Sequence, residues 1–201
     1  KVLQIRSVEF AGKYKVPLRV LSSFEEGPGT LITYEESKME QPMISGIAHN
    51  ADEAKITVRD IPDRPGIASK LLGPIADAHI NVDMIIQNVG TDGNTDMTFT
   101  VPRSDLVASM ELLQELAVEL GAKEVVGDEG MAKISVVGVG MRSHSGVASK
   151  MFAALAGEGI NIQLISTSEI KISVVVEEKY MELAIRTLHK AFNLSEAAAE
   201  Q

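Results

Sequence analysis

A short loop, residues 60–70, contains residue types that could bind a small molecule with one positive and one negative charge. It follows the apolar run 56–58, which predicts a strand, and precedes a helical pattern whose apolar face comprises Ile67, Leu71, Leu72 and Ile75. The first turn of a helix leaves backbone N–H groups unpaired, and these can bind a carboxylate or a phosphate. Asp63 precedes that turn and can pair with a cation. The loop therefore offers both halves of a site for a free amino acid.

The same loop also has a purely structural explanation. Pro62 and Pro65 are predicted to end the strand, and Gly66 to let the backbone turn tightly where the helix begins. On that interpretation Asp63 is a solvated carboxylate in an ordinary strand-to-helix turn. The loop alone does not decide between the two, so the surrounding elements must be considered.

These elements occur twice along the chain. The first unit predicts the order strand–helix–strand–strand–helix–strand, with elements at 55–59, 66–78, 82–88, 96–101, 104–120 and 123–126. Ser104 is predicted to cap the second helix and Gly121 to end it. Residues 146–150 repeat residues 66–70, 80 positions later, with Val147 in place of Ile67, and Ile160-Asn161 repeats Ile80-Asn81 at the same offset. The constant offset indicates an internal duplication.

This order of elements predicts an α+β fold made of two ferredoxin-like βαββαβ units. Such a unit, of roughly 70–80 residues, is an antiparallel sheet with its helices on one face. The second unit predicts strands at 133–137 and 171–176 and a helix from Tyr180 to Phe192, with no strand after it. The stretch from Met43 to His49 is an unassigned strand that could complete this sheet. The first unit would then be inserted into the second.

The predicted divisions of the chain follow from that insertion. Residues 1–41 form an N-terminal segment and linker, and residues 50–129 form the first domain. The second domain combines residues 42–49 with 130–193, and residues 194–201 form a tail. The chain begins at Lys1, within what reads as the middle of a helical pattern. We therefore expect the sequence to be part of a longer protein.

Composition restricts the class of protein. The chain has 201 residues, of which 45% are hydrophobic, so it can build a proper core. Its net charge of −9 argues against a nucleic acid or an anionic membrane surface as partner. No apolar run approaches the roughly 18 residues that a transmembrane helix needs. The absence of cysteine excludes disulfides and fits the reducing cytoplasm, where we expect the protein to be.

Two patterns that suggest other chemistry do not hold. The run from Val137 to Gly140 resembles the start of a dinucleotide-binding loop, but Ser143 stands where the third glycine belongs, and the acidic partner is missing. The histidines show no metal-like spacing: His49, His79, His144 and His189. With no nucleophile–base pair and no phosphate loop, an enzyme in its own right ranks low.

The residues carry a family resemblance. The duplicated βαββαβ unit with the run from Asp63 to Gly66 in its first loop resembles a tandem pair of ACT domains. Longer stretches are similar to the regulatory region of the aspartokinase family, at 16–24, 29–32, 45–48, 96–100, 141–148 and 161–173. The resemblance covers nearly the whole chain and does not include the kinase catalytic part. It therefore implies either a separate β subunit or the C-terminal fragment of a longer chain. It implies feedback control of the ATP-dependent phosphorylation of aspartate, the first step toward lysine, threonine and methionine.

The resemblance also implies effector sites. One comprises Asp63, Pro65, Gly66, Ile67, Ala68 and Gln87, joined across an interface by Asn161 and Ile162 of a second unit. Asp63 would pair with the effector's ammonium, the helix N–H groups with its carboxylate, and an amide with a hydroxyl. From the residues alone, Asn161 is equally well a turn residue and Gln87 a solvated strand position. A possible second site comprises Met141, His144, Ser145, Gly146, Val147, Ser168 and Glu169.

The partners implied by the resemblance are threonine, lysine as a second effector, a second copy of the chain, and an aspartokinase catalytic subunit or domain. The family packs two such ACT pairs around a twofold axis, with ligands between the sheets. Neither a metal nor a cofactor is expected in this chain, since ATP and Mg²⁺ belong to the catalytic part. The alternative is an ACT-type dimerisation module with no effector of its own.

Overall fold

The computed structural model describes residues 3–33, 44–90, 92–138 and 146–194. The chain divides into an N-terminal unit, Lys1–Gln41, and a larger unit, Pro42–Gln201. In the N-terminal unit, helix α1 (Ile5–Lys13) precedes an antiparallel ribbon of β1 (Leu18–Val20) and β2 (Thr30–Ile32). Within the described part of the chain, no helix combines the length and apolar character that a membrane crossing requires.

The first domain of the larger unit is a four-stranded antiparallel sheet with two helices. Its elements in chain order are β4 (Ala54–Pro62), α2 (Ile67–Asp77), β5 (Ile85–Val89), β6 (Asn94–Val101), α3 (Leu106–Leu120) and β7 (Glu124–Asp128). The strand order is β5-β6-β4-β7. This is the ferredoxin-like arrangement that the order of elements predicts.

The second domain repeats this arrangement with one strand taken from earlier in the chain. Its elements are β8 (Met131–Gly138), α4 (Val147–Gly157), β9 (Leu164–Thr167), β10 (Lys171–Glu177) and α5 (Met181–Ala191). Strand β3 (Ile44–Asn50) pairs antiparallel with β8, and the strand order is β3-β8-β10-β9. Strand β3 therefore occupies the position that β7 holds in the first sheet.

Each sheet buries one face against its own two helices. In the first domain, Ile56 and Phe99 of the sheet are fully buried with Leu71 of α2 and Leu113 of α3. The predicted apolar face of α2 is confirmed, since Ile67, Leu71 and Ile75 are buried and Leu72 packs against the same core. The second core has the same composition of sheet and helix residues, including Ile134, Val174, Met151, Leu155 and Leu188.

The end of α3 agrees with the sequence prediction, but its start does not. Gly121 ends α3 with φ 74°, a left-handed conformation that glycine adopts without strain. Ser104 does not cap the helix: a 3₁₀ turn, Arg103–Asp105, precedes α3, and Ser104 Oγ lies 3.4 Å from Asp105 Oδ1. The 3₁₀ turn starts directly after Pro102, so Ser104 lies inside that turn and does not cap the first N–H groups of α3.

Strand β4 is longer than predicted. The prediction ended it near residue 59, yet it pairs with β6 up to Pro62. A bulge between Val58 and Ile61, with Asp60 at φ 57°, allows this continuation. Proline is tolerated at Pro62 because it is the last residue of the strand. The extension brings Asp63 directly to the end of a paired strand.

The two sheets meet through the faces that point away from their helices. Val174 packs against the helices of the second domain, so its neighbour Val175 points to the opposite face. There Val175 is buried with Met84 and Met131, and Ile86 and Leu164 pack around them. The larger unit thus has a third, smaller apolar cluster between its two domains.

Charged groups border this cluster. Lys133 of β8 donates hydrogen bonds to Glu53 and to Asp83 of the first domain. Glu53 is only 4% exposed and also accepts a hydrogen bond from Asn50 Nδ2 at 2.9 Å. Burial by itself lowers the pKa of Lys133, but the hydrogen bonds and charges of Asp83 and Glu53 outweigh it and raise that pKa. Burial likewise raises the pKa of Asp83, and Lys133 outweighs it, so the pKa of Asp83 is lowered.

We predict that Lys133→Met lowers the free energy of unfolding by about 3 kcal/mol at pH 7, because it leaves a buried carboxylate, Glu53, without its cation. Urea unfolding of the variant and of wild type measures this difference. The exposed Lys190→Met is the control and should change stability by less than about 0.5 kcal/mol. Equal losses in the two variants would contradict the role given to Lys133.

The same difference should depend on pH in one direction. The pKa of Asp83 is lower in the folded protein than its ordinary value of 3.8, so its contribution is complete above that value. It is lost as the pH falls through the lower, folded pKa. The pKa of Lys133 is raised, so its contribution is complete below its ordinary value of 10.5. The difference in unfolding free energy between wild type and Lys133→Met should therefore be constant between the ordinary pKa values of 3.8 and 10.5. It should shrink as the pH falls below 3.8.

Candidate functional site

The loop between β4 and α2 borders a depression on the surface of the first domain. Its lining consists of Asp63, Arg64, Pro65, Gly66, Ile67, Ala68 and Gln87. Ile67 is buried and Ala68 half-buried, whereas the other lining residues are exposed, so the depression is open to solvent. The structure thus gathers the predicted site residues of the first domain around one place. Arg64 was missed by the sequence prediction, although a cation beside Asp63 could have indicated it.

The backbone at Gly66 explains why helix α2 begins here. Gly66 has φ 91°, and the helix starts without a side-chain cap. The N–H of Ile67 donates to the carbonyl of Arg64 at 3.2 Å, which closes the turn before the helix. The remaining N–H groups of the first turn, which a capping side chain would satisfy, are available to an anion from outside.

The hairpin between β5 and β6 holds Asp63 in place. The N–H of Asp63 donates to the carbonyl of Gly93 at 2.9 Å, and Gln87 Nε2 lies 3.4 Å from Asp63 Oδ1. Two further contacts support the bulge that precedes the loop. Asn94 Nδ2 donates to Asp60 Oδ1 at 2.7 Å, and the N–H of Asp60 donates to Asp96 Oδ1 at 2.8 Å. The acidic group is therefore positioned by backbone and amide contacts from a second element.

Only part of the predicted second site lies within the described residues. Gly146 begins α4 with φ 101° and no side-chain cap, and Val147 is buried, as at Gly66 and Ile67. The turn between β9 and β10 contains the other two described members of that site. Ser168 Oγ accepts the N–H of Lys171 at 3.2 Å, and Glu169 is exposed. Met141, His144 and Ser145 fall outside the described residues.

Asn161 and Ile162 are not brought to the first depression within one chain. Asn161 is exposed, and Ile162 packs against the core of the second domain. Neither belongs to the lining of the depression at Asp63. Their predicted contribution from across an interface stays a prediction. In the described part of the chain, no cluster of three or more His, Asp or Glu side chains could hold a metal ion.

Comparisons with known proteins agree with this architecture. Residues 56–118 and residues 134–192 each match a model of the ACT domain. The aspartate kinase of Pseudomonas fluorescens is 67% identical over 201 residues, which are 100% of this chain and 49% of that protein. The chain spans about half the length of the curated relatives it matches.

Solved structures give the same result. A structure of aspartokinase alpha and beta subunits contains a chain that is 57% identical, with a TM-score of 0.71, over 75% of this chain and 99% of that one. The ligand-free regulatory subunit of aspartate kinase from Thermus thermophilus is 41% identical, with a TM-score of 0.71 and the same coverage of 75% and 99%.

The backbone at the start of α2 yields a test with an internal control. Gly66→Ala should lower the free energy of unfolding by about 1–2 kcal/mol, because alanine is strained at φ 91° although no atom stands in its way. Gly157→Ala, at the last residue of α4, has equally open space without a left-handed φ and should stabilise by up to about 1 kcal/mol. Thermal or urea unfolding of both variants measures the pair. Stabilisation by both substitutions would contradict the left-handed conformation at Gly66.

Proposed function

The chain belongs to the family of aspartokinase regulatory regions, with two ACT domains in tandem, and from this premise we propose that it binds an end-product amino acid and thereby inhibits the phosphorylation of aspartate. The observation that carries the proposal is the convergence of Asp63, Gln87 and the uncapped start of α2 around one depression. These groups match the three polar parts of threonine. Asp63 would bind its ammonium, the first-turn N–H groups its carboxylate, and Gln87 its hydroxyl.

Charge matching favours threonine over lysine at this site. The lining has one carboxylate, Asp63, and one guanidinium, Arg64, which balance the two charges that every free amino acid carries. A lysine effector brings a second ammonium, and the lining offers no second acid for it. We therefore assign threonine to the depression in the first domain. Lysine as a second effector at the second site stays a prediction.

A homodimer is the second part of the proposal. Strand β5 is an edge strand, and its Ile85 and Val89 are 54% and 69% exposed. Strand β9 is the matching edge of the second sheet, and its Ile165 is 45% exposed. Exposed edges with apolar side chains tend to be covered by another strand. A second copy that pairs at these edges would carry Asn161 and Ile162 toward the depression of its partner.

Catalysis is proposed to belong to a kinase part that binds ATP and Mg²⁺ and works with these ACT domains in the cytoplasm. A similar chain occurs in a structure that contains aspartokinase alpha and beta subunits, which supports a catalytic subunit as a partner. The regulatory signal would pass when effector binding shifts the dimer toward one arrangement. A ligand can do this only by its different affinity for the two arrangements.

We predict that threonine binds the wild-type chain and that Asp63→Ala weakens this binding at least about tenfold, because a hydrogen bond to a charged group contributes roughly 1.5–3 kcal/mol. Isothermal titration with threonine, lysine and methionine measures the affinities. Asp77→Ala, an exposed acid at the far end of α2, is the control and should bind like wild type. If none of the three amino acids binds, the chain is a dimerisation module without an effector of its own.

A further prediction concerns the partner's contribution. Threonine should raise the dimer fraction in analytical ultracentrifugation, since a ligand that spans two protomers stabilises their association. Asn161→Ala should weaken threonine binding by roughly 1–3 kcal/mol, the cost of one unsatisfied polar group. Asn81→Ala, at the repeat-related position, should leave this affinity unchanged. Wild-type affinity in Asn161→Ala would mean that the effector is bound within one ACT domain.

A further inference from the structure

Two lysine contacts join the ACT domains in opposite directions. Lys55 of the first domain donates from Nζ to Gln163 Oε1 of the second, at 2.6 Å. Lys133 of the second domain donates from Nζ to Asp83 of the first. Each domain thus supplies one lysine and one acceptor to the interface that contains the third apolar cluster.

The internal repeat relates the two lysines. Lys55 lies on β4 opposite Thr100 of β6, and Lys133 lies on β8 opposite Val175 of β10. Strands β4 and β8 are the first strands of the two repeats, and β6 and β10 are the third. The two lysines therefore hold the same place in their sheets, on the face that meets the other domain.

The acceptors are related in the same way. The N–H of Asp83 donates to the carbonyl of Thr100 at 3.1 Å, and the N–H of Gln163 donates to the carbonyl of Val175 at 2.8 Å. Each acceptor precedes the second strand of its repeat. The contact from Lys55 to Gln163 is thus the counterpart of the contact from Lys133 to Asp83, with an amide in place of a carboxylate.

That difference makes the two contacts unequal. Lys133 faces two carboxylates, Glu53 and Asp83, whereas Lys55 faces a neutral amide, with Asp128 Oδ2 more distant at 3.5 Å. A hydrogen bond between two charged groups is stronger than one in which only the donor is charged. The Lys133 cluster is therefore the firmer connection, and the Lys55 contact can be lost while the domains stay packed.

The Lys55 contact reaches a segment that matters for the effector. Gln163 directly follows Asn161 and Ile162 in the chain. Lys55 lies on β4, the strand that ends at Pro62 beside the loop 63–66. The hydrogen bond from Lys55 to Gln163 therefore connects the strand that ends directly before Asp63 with the segment of the other domain that is proposed to complete an effector site.

We propose that Lys55 is a positioning residue for effector binding: from the first ACT domain it holds segment 161–163 of the second in place and so sets the affinity of the site to which Asn161 and Ile162 contribute. This inference rests on the proposed function, because it requires that segment to contact the effector. Lys55 does not touch the effector. Loss of its contact lets the segment move and lowers affinity, while the Lys133 cluster keeps the domains folded together.

The test uses the whole 201-residue chain with two measurements. Hydrogen–deuterium exchange of residues 160–164 in the free protein reports whether the segment is held. Titration with threonine reports the affinity. Lys55→Met and Gln163→Leu should each speed this exchange and weaken threonine at least about fivefold, the low end of typical coupling between sites. The double variant should lose little more than either single one, because both remove the same contact.

Two controls separate positioning from a general loss of stability. Lys55→Arg keeps a cationic donor and should restore most of the affinity, which a merely structural defect in packing would not predict. Lys190→Met removes an exposed lysine elsewhere and should change neither readout. The unfolding temperatures of all variants should stay close to that of wild type.

The outcomes decide the inference and the proposed function separately. Unchanged exchange in Lys55→Met overturns the inference, and so does faster exchange with unchanged threonine affinity. Additive losses in the double variant also overturn it. If wild type binds none of threonine, lysine and methionine, the proposed function fails, and the link from Lys55 to affinity fails with it. In that case faster exchange in Lys55→Met still supports the conclusion that the Lys55–Gln163 contact holds segment 161–163 in place.

Discussion

The pairing of β3 with β8 is the constraint on which the arrangement of both ACT domains depends. It completes the second sheet with a strand that precedes the first domain in the chain. Because β3 ends at Asn50 and β4 begins at Ala54, the first of the two connections between the domains is very short. The connecting residue Glu53 is consequently buried, and a buried carboxylate needs a cation. Lys133, on the strand that β3 pairs with, supplies it.

The short connection also holds the two sheets face to face, with apolar side chains between them and polar contacts at the border. The open face of each sheet would otherwise expose Met84, Met131 and Val175 to water, and here the three are buried together. The cluster is small, so directional contacts at its border set how the domains align. Lys133 and Lys55 provide these contacts from opposite sides. The internal repeat accounts for this symmetry, since each lysine contacts the acceptor position of the other domain, Lys55 at Gln163 and Lys133 at Asp83.

The loop between β4 and α2 shows how local strain and long-range support combine. Asp60 holds a left-handed conformation that a non-glycine residue adopts at a cost. Asn94 and Asp96, more than thirty residues later in the chain, hydrogen-bond to it. The bulge aims the end of β4 at the hairpin, and the carbonyl of Gly93 then accepts the N–H of Asp63. The carboxylate of Asp63 is thus held near the start of α2 by contacts within the first domain.

The helices, the strands and their duplication could be predicted from the sequence, because these follow from local patterns. The spacing of Ile67, Leu71 and Ile75 predicts the buried face of α2, and Gly121 predicts the end of α3. The first-domain residues proposed for the effector lie in one loop and one strand that the resemblance identifies together. Three other features depend on the tertiary structure and could not be predicted from local patterns. The bulge that extends β4 depends on pairing with β6, the burial of Glu53 depends on where β3 inserts, and the Lys55–Gln163 contact joins residues 108 positions apart. Such contacts follow from the approach of two sheets, and no local spacing in the chain encodes that approach.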